Sequence, residues 1–117
     1  MAGLIELEGM EFYAFHGYYP SEKQVGNRFV VSVKIATDCT LPGETDQLKD
    51  ALNYQEVYHL VKKEMAVPSN LLEHVCSRIL TSLYKAFPDI EEATVKISKI
   101  NPPMGGSIEK VSLSLTK

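Results

Sequence analysis

The spacing of apolar residues changes period twice along this chain, and few folds accommodate that order. Between residues 4 and 15, Ile5 and Leu7 alternate with Glu6 and Glu8, the period of two expected for a strand with one buried face. Residues 28–38 repeat it: Phe29, Val31, Val33 and Ile35 share one face, with Arg28, Ser32 and Lys34 on the other. From Asn53 the period becomes helical, and Tyr54, Val57, Tyr58, Val61 and Met65 form one apolar stripe. Asn53 is placed to accept a backbone N–H as N-cap, with Glu56 reaching back as its capping-box partner. Pro68 ends the pattern. A second helix is predicted from Leu71 to Phe87, with Leu72, Val75, Cys76, Ile79, Leu83 and Phe87 as its stripe and Pro88 as its stop. The period then returns to two. Ala93, Val95 and Ile97 line one face of a strand over 92–99, and Val111, Leu113 and Leu115 line one over 108–116.

The predicted order is strand, strand, helix, helix, strand, strand. A four-stranded antiparallel sheet with both helices on one face buries all of these stripes, which makes the chain an α+β protein. Residues 16–26 and 101–106 read as Gly- and Pro-punctuated loops, and 39–52 as an irregular stretch turning at Pro42-Gly43. The 117 residues are expected to form one domain, 1–117. Such a sheet has open edges that need cover, and edge pairing between copies would provide it, so a closed homo-oligomer is expected. A domain of this size has little interior for a deep pocket. A site between subunits would relieve that limit.

Composition narrows the function. The chain is 44% hydrophobic and 23% charged, with a net charge of −3, values of an ordinary globular protein. No stripe of Lys or Arg marks a nucleic-acid surface. No apolar run approaches the roughly 20 residues of a membrane span. The first residues carry no basic region followed by an apolar core, so no secretory signal is expected. Cys39 and Cys76 are too far apart for a short-spaced metal pair and read as free thiols of a cytoplasmic protein. There is no Gly-rich phosphate loop and no nucleophile elbow. His16, His59 and His74 fit no zinc spacing, so neither metal nor other cofactor is expected.

Lys99 is the most informative residue for chemistry. By strand parity it continues the face of Ala93, Val95 and Ile97. An ammonium there is partly desolvated, which moves its pKa toward a value useful for proton transfer. Against this, the strand could end at Ser98 and leave Lys99 to snorkel into water, which the pattern alone favours. Glu73 has two readings. With Asn70 as N-cap it completes a capping box, the reading local sequence favours. As a carboxylate beside a helix N-terminus, flanked by Leu71 and Leu72, it could instead accept the paired N–H donors of a flat heterocycle, with backbone N–H groups serving the ligand's acceptors. Glu22 reads as a solvated loop residue, Tyr54 as the head of a core stripe or an acid/base if wet, and His16 as a loop hydrogen-bonder. The aromatic cluster of Phe12, Tyr13, Phe15, Tyr18 and Tyr19 reads as core or interface.

Taken in order, five segments resemble the dihydroneopterin aldolase family across nearly the whole chain. They are Gly9-Met-Glu-Phe-Tyr-Ala-Phe-His-Gly17, Pro20-Ser-Glu22 with Gly26, Asp46-Gln-Leu-Lys-Asp50 leading to Asn53-Tyr54, Asn70-Leu-Leu-Glu73-His74, and Lys99-Ile-Asn-Pro-Pro103. One departure is that Met104-Gly105-Gly106 stands where the family commonly has Ile-Pro-Gly. The resemblance implies the tunnelling fold, ββααββ, whose subunits join sheets into a tetrameric barrel that can stack as an octamer, with active sites between subunits. It implies that Glu73 anchors a pterin ring beside Leu72 and Asn70. Tyr54 would come from the adjacent subunit, Glu22 would order the substrate side chain and water, and Lys99 would be the general acid/base. The implied activity is retro-aldol cleavage of 7,8-dihydroneopterin in folate biosynthesis, without metal or Schiff base, with a C2′ epimerase side activity. Two alternatives accompany it: an epimerase of dihydroneopterin triphosphate, and a non-catalytic oligomer that binds pterins or purines.

Overall fold

The computed structural model describes residues 1–117, and its backbone follows the two changes of period. Four strands, β1 (Ala2–Ala14), β2 (Asn27–Asp38), β3 (Glu92–Ile100) and β4 (Lys110–Thr116), form one sheet in the order β1-β2-β3-β4. Every neighbouring pair is antiparallel. The register is the one the sequence demands. Phe29, Val31, Val33 and Ile35 are fully buried, each contributing about 1.5–3 kcal/mol relative to exposure. A slip of one residue would put Arg28, Ser32 and Lys34 into that core instead. Ala93, Val95 and Ile97 continue the same face from β3.

β1 is not one uniform alternation. Leu7 pairs with Val33 and Met10 with Val31, so Glu8 and Gly9 together oppose Ser32. This bulge moves the core-facing positions from Ile5 and Leu7 to Met10, Phe12 and Ala14. Gly9 has φ +70°, the left-handed conformation that a bulge of this kind needs and that glycine adopts without strain. The Gly9 N–H donates to Ser32 Oγ at 3.1 Å.

Two long helices cover one face of the sheet. A short helix α1 (Pro20–Val25) follows β1, a short helix α2 (Thr40–Thr45) and a 3₁₀ turn (Leu48–Asp50) follow β2, and the long helices are α3 (Tyr54–Met65) and α4 (Leu72–Ala86). The loop expected at 16–26 and the irregular stretch expected at 39–52 thus both contain helix. Neither short helix buries a residue, so neither has an apolar stripe for a periodicity argument to find. In α3, Val57, Val61 and Met65 are buried as expected, but Tyr54 is 62% exposed. Asn53 caps α3 by accepting the Gln55 N–H at 3.0 Å, while Glu56 stays exposed. In α4 the buried stripe is Val75, Cys76, Ile79, Leu80 and Leu83.

The chain is elongated, 53 × 23 × 20 Å, with a radius of gyration of 15.7 Å against about 13 Å for a compact domain of this length. β1 and β4 each present one unpaired edge.

Candidate functional site

Lys99 lies inside β3, which runs on to Ile100, so the strand does not end at Ser98. Its register partners are Phe29 on β2 and Val111 on β4. That placement puts its stem on the apolar face, with Nζ 5.9 Å from the centre of the Phe29 ring, and leaves the side chain only 14% exposed. The ammonium needs a partner there. It donates to Glu22 Oε1 at 2.8 Å, and the Glu22 side chain is itself only 17% exposed. Glu22 is therefore not the solvated loop residue that its local sequence suggests.

Helix α1 holds Glu22 in place. Pro20 at its start needs no N–H partner and presets φ, and the Tyr19 N–H donates to Glu22 Oε2 at 3.2 Å. Both carboxylate oxygens are thus occupied. The bond from Lys99, then that from the Tyr19 N–H, hold the Glu22 carboxyl below the usual carboxylate range against the opposing effect of burial. Beneath it lies Gly17, where an added Cβ would meet Glu22 Cβ at 2.4 Å and Cδ at 2.7 Å. Only glycine permits this approach. A cleft of about 410 Å³ opens over the pair, lined by Tyr19, Glu22, Leu72, Lys99, Pro103 and Met104, among others.

His16 is a buried ring and not a surface loop residue, with 2% of its surface exposed. It packs edge-on against Phe29, with ring centres 5.2 Å apart. Its Nδ1 accepts the Ser69 N–H at 3.0 Å, which assigns the ring proton to Nε2. Nε2 has no hydrogen-bond partner of acceptable geometry. The Met65 carbonyl lies close enough to favour the charged ring, but burial and then the Arg78 guanidinium outweigh it and push the His16 pKa down to about 4. The Gly17 N–H donates to the Ser69 carbonyl at 3.0 Å, closing a two-bond bridge to the segment before α4. The Ser69 hydroxyl accepts from Arg78 Nη2 at 2.9 Å and lies 2.7 Å from His74 Nδ1.

At the start of α4 the structure corrects the capping reading. The N-cap is Leu71, which makes no side-chain cap, so Glu73 falls at the second helical position instead of the third. Asn70 does not cap the helix; its Oδ1 accepts from Lys23 Nζ on α1. The first-turn N–H groups of Leu72 and Glu73 form no hydrogen bond within the chain, and the Glu73 carboxylate is exposed beside them. Acceptor and free donors thus belong to the same exposed first turn of α4.

Tyr54 stands apart. It lines a separate groove of about 630 Å³ with Ile5, Leu7, Cys39, Ala51 and Leu52, and it shares no wall with the cleft over Lys99. Of the six residues singled out from the sequence, one chain brings Glu22, Leu72 and Lys99 into one cleft. Asn70 and Glu73 sit beside it, and Tyr54 does not join them. His59 is exposed. Cys76 is fully buried, and burial first, then Glu73, pushes its thiol up to about 12. No three His, Cys, Asp or Glu side chains converge in a way that could hold a metal ion. A depression of about 450 Å³ lined by Asp38, Lys49, Asp50 and Asp89, among others, contains none of the six.

Lys23 and Ser69 carried no sequence signal that marked them out, and Gly17 was marked only as the end of a family-like segment, with no role attached. The one usable hint at α1 was Pro20 followed by an acidic residue in the first turn, the composition of a helix start.

Comparison with known proteins bears on this geometry. The family model described as dihydroneopterin aldolase matches residues 5–116. The dihydroneopterin aldolase of Staphylococcus epidermidis is 36% identical over 118 residues, covering 100% of this chain and 98% of the relative. That of Bacillus subtilis is 34% identical over 114 residues, covering 97% and 95%. Among solved structures, dihydroneopterin aldolase of E. coli in complex with neopterin superposes with a TM-score of 0.89 at 18% identity, covering 98% of each chain; at that identity the likeness speaks for the fold.

Proposed function

The chain belongs to the dihydroneopterin aldolase family, and we infer from that and from the cleft over Lys99 that it catalyses retro-aldol cleavage of 7,8-dihydroneopterin. The products are 6-hydroxymethyl-7,8-dihydropterin and glycolaldehyde, a carbon–carbon lyase step of folate biosynthesis. The observation that carries the residue roles is the Lys99–Glu22 pair, largely buried and 2.8 Å apart, in one cleft with Leu72 at the open start of α4.

In this reading the pterin ring lies beside Leu72 and Asn70. Its amino and amide N–H groups donate to the Glu73 carboxylate, a charge-assisted pair, and the free N–H groups of Leu72 and Glu73 serve its acceptors. The trihydroxypropyl side chain then runs toward Glu22 and Lys99. A base removes the 2′-hydroxyl proton, the C1′–C2′ bond breaks, and glycolaldehyde leaves. The bonding electrons enter the conjugated C=N of the dihydropterin, which serves as its own electron sink. Protonation of the resulting enamine at C1′ completes the product, so one proton leaves an oxygen, one arrives at a carbon, and no redox partner is involved. Lys99 is the acid/base in this scheme and Glu22 orders the side chain and water. No metal, Schiff base or other cofactor is required of the protein. Readdition of glycolaldehyde to the opposite face would epimerise C2′ as a side activity.

Tyr54 enters from a second copy. One chain holds it in a groove separate from the cleft, and the free edges of β1 and β4 are suited to pairing between copies. Exposed Tyr13, Phe15, Tyr18, Tyr19 and Val25 add apolar surface that an interface would cover. The active unit in this reading is a homo-oligomeric barrel, a tetramer or a stacked octamer, working in the cytoplasm. No helix is long and apolar enough to cross a membrane.

Incubating the purified chain with 7,8-dihydroneopterin tests the activity. Release of glycolaldehyde together with the hydroxymethyl product is the expected result. Binding of pterin without turnover would leave a non-catalytic binder, and conversion of dihydroneopterin triphosphate to its C2′ epimer without cleavage would make the chain an epimerase.

A further inference from the structure

We propose that His16 and Gly17 are positioning residues for this reaction, setting the placement of the Glu22–Lys99 pair relative to the ring-anchoring segment Asn70–Glu73. The proposal rests on the cleavage reading above and concerns residues that are not part of the wall of the cleft over Lys99.

The two halves of the cleft come from distant parts of the chain, and the pair 16–17 is where they meet. On one side, Ser69 is gripped at both backbone groups: its N–H donates to His16 Nδ1 at 3.0 Å, and its carbonyl accepts the Gly17 N–H at 3.0 Å. Ser69 leads directly into Asn70, Leu72 and Glu73, so the start of α4 inherits its position from this grip. On the other side, Gly17 is the floor under the Glu22 side chain, with space for a hydrogen but not for a methyl. The Phe29 ring carries the contact onward, with the His16 ring on it at 5.2 Å and Lys99 Nζ 5.9 Å from its centre. A further bond, from Lys23 to Asn70, ties α1 to the same segment. His16 is 2% exposed and Ser69 4%, so neither bond can be exchanged for one to water without opening the core. The grip requires a lone pair at Nδ1, which the neutral ring supplies.

Reaction geometry is sensitive at this scale: a shift of about 1 Å away from the chemistry can lower a rate by roughly 10²-fold. Ring binding is local to Asn70–Glu73 and moves with that segment, so loosening the grip acts on turnover more than on affinity.

The test uses the full chain with His16→Phe, which keeps a ring against Phe29 but removes the acceptor, and His16→Asn, which keeps an acceptor near the Nδ1 position in a smaller side chain. For each, kcat and KM for 7,8-dihydroneopterin are measured per folded subunit. Affinity for oxidised neopterin and hydrogen exchange of the Ser69 amide are measured beside them. The expected result for His16→Phe is a kcat lowered about 10- to 100-fold, KM and neopterin affinity within about threefold of wild type, and accelerated exchange at Ser69. His16→Asn should recover most of kcat even with a lower melting temperature. Gly17→Ala approaches the link from the other side and should lower kcat similarly with neopterin affinity kept, whether or not His16→Phe folds. Wild-type kcat in His16→Phe or in Gly17→Ala, a loss residing wholly in KM, or an Asn variant as slow as the Phe variant would overturn the proposal. Failure of the wild-type chain to cleave dihydroneopterin would instead sink the activity on which it rests.

Discussion

Acidification should weaken this protein through His16 in a pH window set by that one ring. The ring is buried, and its pKa falls from the ordinary histidine value of 6.5 to about 4. The sign follows from proton counts. Between these two values the unfolded chain binds the His16 proton and the folded chain does not, so stability rises with pH across the window and is lost as pH falls from about 6.5 to about 4. Below that window both states are protonated and the loss levels off. The separation corresponds to roughly 3 kcal/mol, most of which should be lost between pH 7.5 and pH 4.5. Glu22, whose carboxyl is held low, and the other carboxylates add losses toward the acid end. His16→Asn shares those losses but lacks the imidazole. The measurement is urea or thermal unfolding of wild type and His16→Asn at several pH values and one fixed subunit concentration, because an oligomer's stability depends on concentration. Wild type should lose roughly 2–3 kcal/mol more than the variant over this range, on the order of 10 °C in Tm. Parallel stability curves would mean that His16 titrates as an ordinary exposed histidine, and the buried neutral ring with its lone pair on Ser69 would be wrong.

Lys99→Met should lower turnover by roughly 10²–10⁴-fold, the usual contribution of a general acid–base group, while neopterin binding persists; cleavage at the wild-type rate would remove Lys99 from the chemistry. Glu73→Gln should leave Tm nearly unchanged, since Glu73 lies at the second position of α4 with no capping bond. It should weaken pterin affinity at least about tenfold, or ~1.4 kcal/mol, because one acceptor becomes an opposing donor; calorimetry with oxidised neopterin reads both quantities, and unchanged affinity would move the ring anchor elsewhere. Light scattering should find a tetramer or octamer, and mixing inactive Tyr54→Phe with inactive Glu73→Ala subunits should restore activity at interfaces that carry both wild-type residues. A fully active monomer would exclude the shared site.

How much of this was legible beforehand depends on how far apart the deciding atoms lie in the chain. The strands, the two long helices and the core residues from Phe29 to Ile97 follow from local periodicity, because a period of two or of 3.6 decides which side chains share a face. The five ordered segments carried the family resemblance for the same reason: they are linear. Parity offered the apolar face for Lys99, but the pattern favoured a strand ending at Ser98, and only the pairing that carries β3 on to Ile100 decided it; its partner left no signal either, since Glu22 lies 77 positions away on a helix that buries nothing and so leaves no stripe. The bulge at Gly9 reverses parity inside a strand that looks continuous, and only the pairing with Ser32 reveals it. Glu73 and Asn70 had the spacing of a capping box, yet tertiary contact overrode it: Lys23 took the Asn70 oxygen, while Gly17 and His16 gripped the preceding residue. Sequence alone determined that four strands and two long helices form and which face β2, β3 and the long helices bury, because those are properties of neighbours along the chain. Only the tertiary structure decided which polar groups pair, because a buried donor takes whichever acceptor the packing of distant segments brings within about 3 Å.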